Sequence, residues 1–277
     1  AARFRAQVAE HVVPLSNELR EQQRRRLGLD KMLFYDQGVM DPEGNPAPQG
    51  DDDWVIAQAQ NMYRKMGDLG PFFDMMIDRE LLDLKTRDGK SGGGYCTKFS
   101  DYAVPFVFAN FNSTENDVRV LCHEIGHAFQ GYNSFHFPAL EYHFPTAEAC
   151  EIHSMSLEYL TWPYMDGFFG DEADRFRRNH IDAAMRFLPY ACAVDEFQHR
   201  IYEAPDAKPS ERHGIWQEME QKYLPHLDYY GMVHVSKGGF WQVQRHIYLW
   251  PFYYLDYALA STAALEFWIR SRADGDR

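Results

Sequence analysis

The sequence predicts a mainly α-helical domain with a small β-sheet placed just ahead of one histidine-bearing helix. Three observations carry that reading. Apolar residues recur at helical spacing through most of the 277 residues. A glycine-rich stretch, "GKSGGGYC", leads into the β-prone run "YAVPFVFANF". Directly after it, "VLCHEIGHAFQGY" places two histidines four positions apart, the separation of neighbours on one helix face.

Taken in order, residues 1–30 carry helical periodicity and end in "LREQQRRRLGLDKM", whose basic run reads as a solvated helix face. "YDQGVMDPEGNPAPQGDDD", residues 35–53, is loop, rich in Pro, Gly and Asp. Helical pattern resumes from Trp54 to about Leu84. Residues 86–111 read as a glycine-rich loop feeding one or two short strands. From Ser113 onward nearly everything reads helical, with breaks at Pro138, Pro145, Pro163, Pro205, Pro225 and Pro251.

Composition narrows the function classes. Hydrophobic residues at 45% and charged residues at 25% are ordinary for a globular protein, while 16% aromatic is rich. A net charge of −13 argues against nucleic acid or an anionic membrane as partner. No apolar run is long enough to span a bilayer, and "AARFRAQVAEHVVP" lacks a signal-peptide core. Cys96, Cys122, Cys150 and Cys192 are dispersed without CxxC spacing, so reduced thiols and a cytoplasmic location are expected. The "GKS" at 89–91 lacks the glycine five positions earlier that a phosphate-binding loop requires, since Leu84 stands there. Those glycines read as a flap or a point of close backbone approach.

The histidine segment has the parts of a metal site. Thr114, three residues before Asp117, starts a helix with a capping-type pair, and Gly131 is the expected stop. Val118, Leu121, Cys122, Ile125 and Phe129 form its apolar stripe. His123 and His127 lie on another face, with roughly 5–6 Å between Cβ atoms, as two imidazoles on one ion require. Glu124 is turned away from them, badly placed to ligate but able to reach a metal-bound water. Gly126 leaves room where a larger side chain would crowd the site. A third ligand is expected on the next helix, "TAEACEIHSMSLEYL", with Thr146 as N-cap. Spacing alone leaves both Glu148 and Glu151 open, with Glu141 in the connecting loop. Two histidines and one glutamate leave a fourth tetrahedral position for water, as in catalytic zinc sites.

"HEIGHAFQ" followed by "EIHSMSLE" resembles the thimet-oligopeptidase and oligoendopeptidase F family of zinc peptidases. In that family a ligand glutamate follows the histidine motif in an E-x-x-S-x-x-x-E pattern, which fits Glu151, Ser154 and Glu158 and implies Glu151 as the ligand. "GGGYCT" resembles its glycine-rich stretch beside the active site, and "RHIYLWPFYYLDYALA" its distal segment, whose tyrosines and histidine face the scissile carbonyl. That nominates His246, Tyr254 and Tyr257. The resemblance implies a zincin-like helical catalytic domain over residues 1–277, without the N-terminal lobe of longer members.

The expected activity is zinc-dependent endopeptidase cleavage of short oligopeptides, with one Zn²⁺ held by His123, His127 and Glu151 activating a water. Glu124 would be the general base, and His246, Tyr254 and Tyr257 would donate to the oxyanion. Glu158 is a candidate partner for the second nitrogen of a ligand histidine. His136, His143 and His153 read as ordinary histidines, and His234 as a candidate substrate contact. A zinc hydrolase of a non-peptide amide would keep the same triad. An inactive peptide-binding fragment would be expected to lose Glu124 or a ligand, and all four residues are present.

Overall fold

The computed structural model describes residues 1–273. Helices α1 (Ala2–Gln7) and α2 (Val13–Arg26) flank a π-helical turn at Val8–Val12. Pro14 has no N–H for the carbonyl four residues back, and the helix widens just before it. Helix α3 (Asp52–Tyr63) starts where Asp51 accepts the Trp54 N–H at 2.9 Å. Helix α4 (Leu69–Asp78) follows Gly67, whose φ of +63° turns the chain. Strands β1 (Leu82–Lys85), β2 (Tyr95–Phe99) and β3 (Val104–Phe111) precede α5 (Glu115–Ser134), α6 (Ile152–Leu160) and the short α7 (Asp166–Phe169). The chain continues as α8 (Ala173–Glu203), α9 (Pro209–Tyr223), α10 (His246–Leu249) and α11 (Tyr254–Ala273). The expected mainly α class with a small sheet ahead of the histidine helix is what the chain adopts.

Four expectations are corrected. The helical pattern assigned up to Leu84 ends at Asp78, because Leu82–Lys85 pairs as a strand with β3. Gly131 does not stop α5; the helix runs on to Ser134, and Gly131 instead admits the stem of Lys98, which a Cβ there would meet at 2.5 Å. Thr146 does not cap the following helix, which begins at Ile152 with Glu151 at its N-cap position. The basic run of α2 is not uniformly solvated: Arg25 is exposed, but Arg20 is buried and Arg26 lies 3.3 Å from Asp41.

The chain divides into two compact units. The first holds residues 1–44 and 178–259. Its core packs Val8 and Val13 against Leu188, Ala191, Val194, Phe197, Trp216, Tyr223 and Trp241. Fully burying large side chains of this kind stabilises by about 1.5–3 kcal/mol each. Aromatic rings meet in this core: Trp216 lies 5.3 Å from Phe197 and Trp241 lies 5.0 Å from it, centroid to centroid.

The second unit holds residues 45–177 and the described residues from Ala260 on. Its sheet has the order β1-β3-β2, with β3 parallel to β1 and antiparallel to β2. Alternate residues Val107, Ala109 and Phe111 of β3 are buried, and α5 packs beside them with Val118, Leu121, Cys122 and Ile125 buried. Lys90, the lysine of the "GKS" run, has a side chain only 1% exposed. It donates to the carbonyls of Asp83, Lys85 and Ala109 at 3.0, 2.9 and 2.5 Å, and so ties the glycine-rich loop to the sheet. That is a structural role for the cation. No helix among the described residues is long and apolar enough to cross a membrane.

Candidate metal centre

The site begins where β3 hands the chain to α5. Asp117 accepts the N–H groups of Asn112 and Thr114, each at 3.1 Å, closing the capping pair read from the sequence. That anchor sets the rotation of α5, and with it the directions of His123 and His127.

The second fixed point is the crossing of α5 on α6. A Cβ at Gly126 would lie 2.6 Å from the Cα of Ser154, closer than real contacts allow. Only glycine lets the two backbones approach this far, and the approach brings the N-cap of α6 beneath the histidines. The carboxylate there belongs to Glu151. Its Oε2 lies 3.1 Å from the Nε2 of His123 and 3.1 Å from that of His127, and the two Nε2 atoms are 3.2 Å apart. Glu148, the alternative, is exposed and outside this group, as is Glu141.

Three lone-pair atoms turned toward one another at such distances fit one shared cation. Tetrahedral zinc with bonds of about 2.0–2.1 Å sets neighbouring ligand atoms about 3.3 Å apart, close to the triangle found here. His123, His127 and Glu151 are the residues that could hold a metal.

Surrounding groups orient each ligand. The Nδ1 of His123 is 2.7 Å from Glu158 Oε1, and that of His127 is 3.1 Å from His153 Nε2. The single Ser154 Oγ–H is shared between Glu151 Oε2 at 3.1 Å and the Glu151 backbone carbonyl at 3.0 Å. The carboxylates also supply negative charge that favours a cation between the three groups. Burial would lower the His123 pKa, but hydrogen bonds to Glu151 and Glu158 outweigh it and raise the ring to about 10. Burial likewise opposes ionisation of Glu151, but its contacts with His123 and His127 hold it well below the usual carboxylate range. His153 is pushed down to about 4, mainly by burial and then by His127.

Glu124 is only 7% exposed, and its Oε2 has no hydrogen-bond partner. Burial raises its pKa, opposed by His123 and His127. Gly94 passes beside it: a Cβ there would stand 3.6 Å from Glu124 Oε1 and 3.3 Å from Val120. Of the glycine stretch only Gly94 comes near the carboxylate, Gly92 and Gly93 facing open space, and the loop is held by Asn110 Nδ2 donating to the carbonyls of Ser91 and Gly93 at 3.0 and 2.8 Å. A buried carboxylate oxygen left unpaired is costly unless it has a task, which suits a proton acceptor.

His246, Tyr254 and Tyr257 lie in the first unit, where they gather into one cluster. The His246 ring lies 5.1 Å from Tyr254 and 5.7 Å from Tyr257, and the two tyrosines are 5.7 Å apart. Gln244 Nε2 lies 2.6 Å from His246 Nδ1 and its Oε1 accepts the Tyr190 hydroxyl at 2.9 Å, which fixes the imidazole. Burial raises the Tyr254 pKa, so its hydroxyl stays a donor. Of the other histidines, His143 is buried with Nε2 2.9 Å from the Phe137 carbonyl, and exposed His234 has Nε2 2.7 Å from Gln242 Oε1. Sequence reasoning missed His153, because its pairing with His127 comes from the helix crossing and has no signature in spacing.

The chain is similar to known peptidases. The sequence model of Peptidase family M3 matches residues 61–276. Oligopeptidase PepF of Bacillus subtilis (strain 168) is 24% identical over 196 residues, covering 68% of this chain and 28% of that protein. A crystal structure assigned as a candidate oligoendopeptidase F is 51% identical with a TM-score of 0.96, over 99% of this chain and 48% of that one. PZ peptidase A, solved with an inhibitor, is 50% identical with a TM-score of 0.96, over 99% of this chain and 49% of that one. The chain thus spans about half the length of the solved relatives and less of the curated one.

Proposed function

The chain belongs to peptidase family M3, and on that premise we propose that it is the catalytic domain, residues 1–277, of a zinc-dependent endopeptidase acting on short oligopeptides. One observation supports the reading most: His123 Nε2, His127 Nε2 and Glu151 Oε2 converge at 3.1–3.2 Å beside the unpaired, buried carboxylate of Glu124. A binding-only fragment would have no use for that carboxylate.

Zinc, when bound by His123, His127 and Glu151, supplies a Lewis acid that polarises a carbonyl and makes water acidic near pH 7. The chain's own residues do the rest. Glu124 takes the proton of the attacking water on its unpaired Oε2 and delivers it to the leaving amine. Its burial, which disfavours the anion, makes it a stronger base than an exposed glutamate. Glu158 and Ser154 hold His123 and Glu151 in their ligating orientations. His246, Tyr254 and Tyr257 are proposed as oxyanion donors on the strength of the family resemblance and of their clustering with a protonated hydroxyl. The four cysteines, none of them joined in a disulfide among the described residues, suit a reducing, cytoplasmic setting.

The test is metal analysis of the purified chain, with cleavage of a quenched peptide panel and of small amides before and after chelation. Zinc near one equivalent with chelator-sensitive peptide cleavage is expected. Cleavage that survives complete metal removal would overturn the reading.

A further inference from the structure

A ligand imidazole bound through Nε2 must carry its proton on Nδ1, and that N–H needs an acceptor to fix the ring. The two ligand histidines solve this differently. His123 Nδ1 faces the Glu158 carboxylate at 2.7 Å, a charged partner. His127 Nδ1 faces the Nε2 of His153 at 3.1 Å, with the two rings crossing at 81° and their centroids 5.1 Å apart. The partner at that position is a second imidazole instead of a carboxylate.

We infer that His153 is a positioning residue for His127: its Nε2 accepts the His127 Nδ1–H, so His153 is held as the neutral tautomer with its own proton on Nδ1. The inference rests on the metallopeptidase reading. Its direction follows from His127. With the Nε2 of His127 turned toward His123 and Glu151, the shared proton belongs to Nδ1, and only the lone pair of His153 Nε2 can receive it. The reverse arrangement, His153 donating, would leave a proton on His127 Nε2 and block ligation.

A neutral acceptor also has a physical reason here. Glu124, Glu151 and Glu158 already crowd the site, with Glu151 3.1 Å from both ligand rings and Glu158 2.7 Å from His123. A fourth carboxylate behind His127 would add like-charge repulsion. An imidazole completes the hydrogen bond without that charge. The position of His153 follows from the same close crossing: it precedes Ser154, the residue whose backbone Gly126 admits, so the contact that places Glu151 also places His153.

The experiment uses the purified chain with chelator competition to measure zinc affinity, and histidine-selective ¹⁵N spectra of the zinc-loaded protein to read tautomers. His153→Phe keeps a ring of similar size and removes the acceptor, so zinc should bind about 10–100-fold more weakly. His153→Gln, whose side-chain oxygen can accept, should recover most of the loss; a merely structural role would not show that rescue. In the wild type, His153 should appear as the Nδ1–H tautomer. Unchanged zinc affinity in His153→Phe, or an Nε2–H tautomer in the wild type, overturns the assignment of His153 and leaves the metal site standing. Failure of the wild type to take up zinc overturns the functional reading beneath it.

Discussion

Gly126 and Ser154 meet so closely that a single methyl group on the glycine would stand 2.6 Å from the serine Cα. The contact joins the helix that carries both histidines to the one that has Glu151 at its N-cap position. Gly126→Ala should therefore push α6 away from α5 rather than bend a flexible side chain. Overpacking of this kind costs about 1–3 kcal/mol. The expected result is a lowered melting temperature together with reduced zinc content, because Glu151 moves with α6. A variant with normal zinc affinity would show that the approach does not set the ligand geometry.

Ligand and base are separable by isosteric changes. Glu151→Gln should sharply weaken zinc retention, whereas Glu148→Gln should leave it nearly intact, since Glu148 is exposed and outside the triad. Glu124→Gln should keep zinc and lose roughly 10²–10⁴-fold in turnover. Metal analysis and peptide cleavage on the three proteins decide the matter, and loss of zinc in Glu124→Gln would refute the division of roles.

These variants mark what the sequence could and could not say. The HExxH helix, its Thr114–Asp117 cap and the two strands just before it were legible because capping pairs, helical spacing and β-prone alternation are local signals, while Leu82–Lys85 was hidden because its pairing with the sheet is not local. The choice of Glu151 over Glu148 was not legible from spacing, because Thr146 looked like a cap and the helix begins at Ile152. The resemblance to known peptidases supplied it, and the geometry brings the same residue to the histidines. Gly126 was read as room near the site, when its neighbour is the backbone of another helix. His153 and the Ser154 bond to Glu151 depend on a helix crossing angle that no one-dimensional pattern contains.

Away from the site, His226 predicts an acid-side loss of stability. Burial, then the nearby charges of Arg20 and Arg186, push its pKa down to about 3, from an ordinary value near 6.5. Between these values the unfolded chain binds a proton that the folded chain refuses, so stability falls as pH drops through that window. One such proton gives a slope of about 1.4 kcal/mol per pH unit. Above pH 6.5 the contribution is flat. Denaturant unfolding of wild type and His226→Gln at pH 5 and 7.5 should show a smaller acid loss in the variant. Equal losses would mean His226 titrates normally in the folded chain.

The hydroxyls of Tyr254 and Tyr257 give the last prediction. Both rings pack against His246, and Phe at either position keeps that packing while deleting only the hydroxyl. If a hydroxyl donates to the oxyanion, its partner exists only once the carbonyl carbon is tetrahedral. The loss should then fall on kcat with KM little changed, by about 10²–10³-fold for a full donor. Zinc content should be unaffected, because neither residue belongs to the ligand set. A tyrosine that serves only packing gives the opposite pattern, a lowered melting temperature with normal kcat in the molecules that stay folded. Tyr254 is the first to test: its hydroxyl is kept protonated by burial, and His246 beside it is fixed by Gln244, which Tyr190 anchors in turn. A pre-oriented donor contributes more to a transition state than a mobile one, because no reorganisation is needed when charge develops. Gln244→Ala should then lower kcat through His246 without touching either hydroxyl, and an unchanged kcat in all three variants would remove this cluster from the reaction.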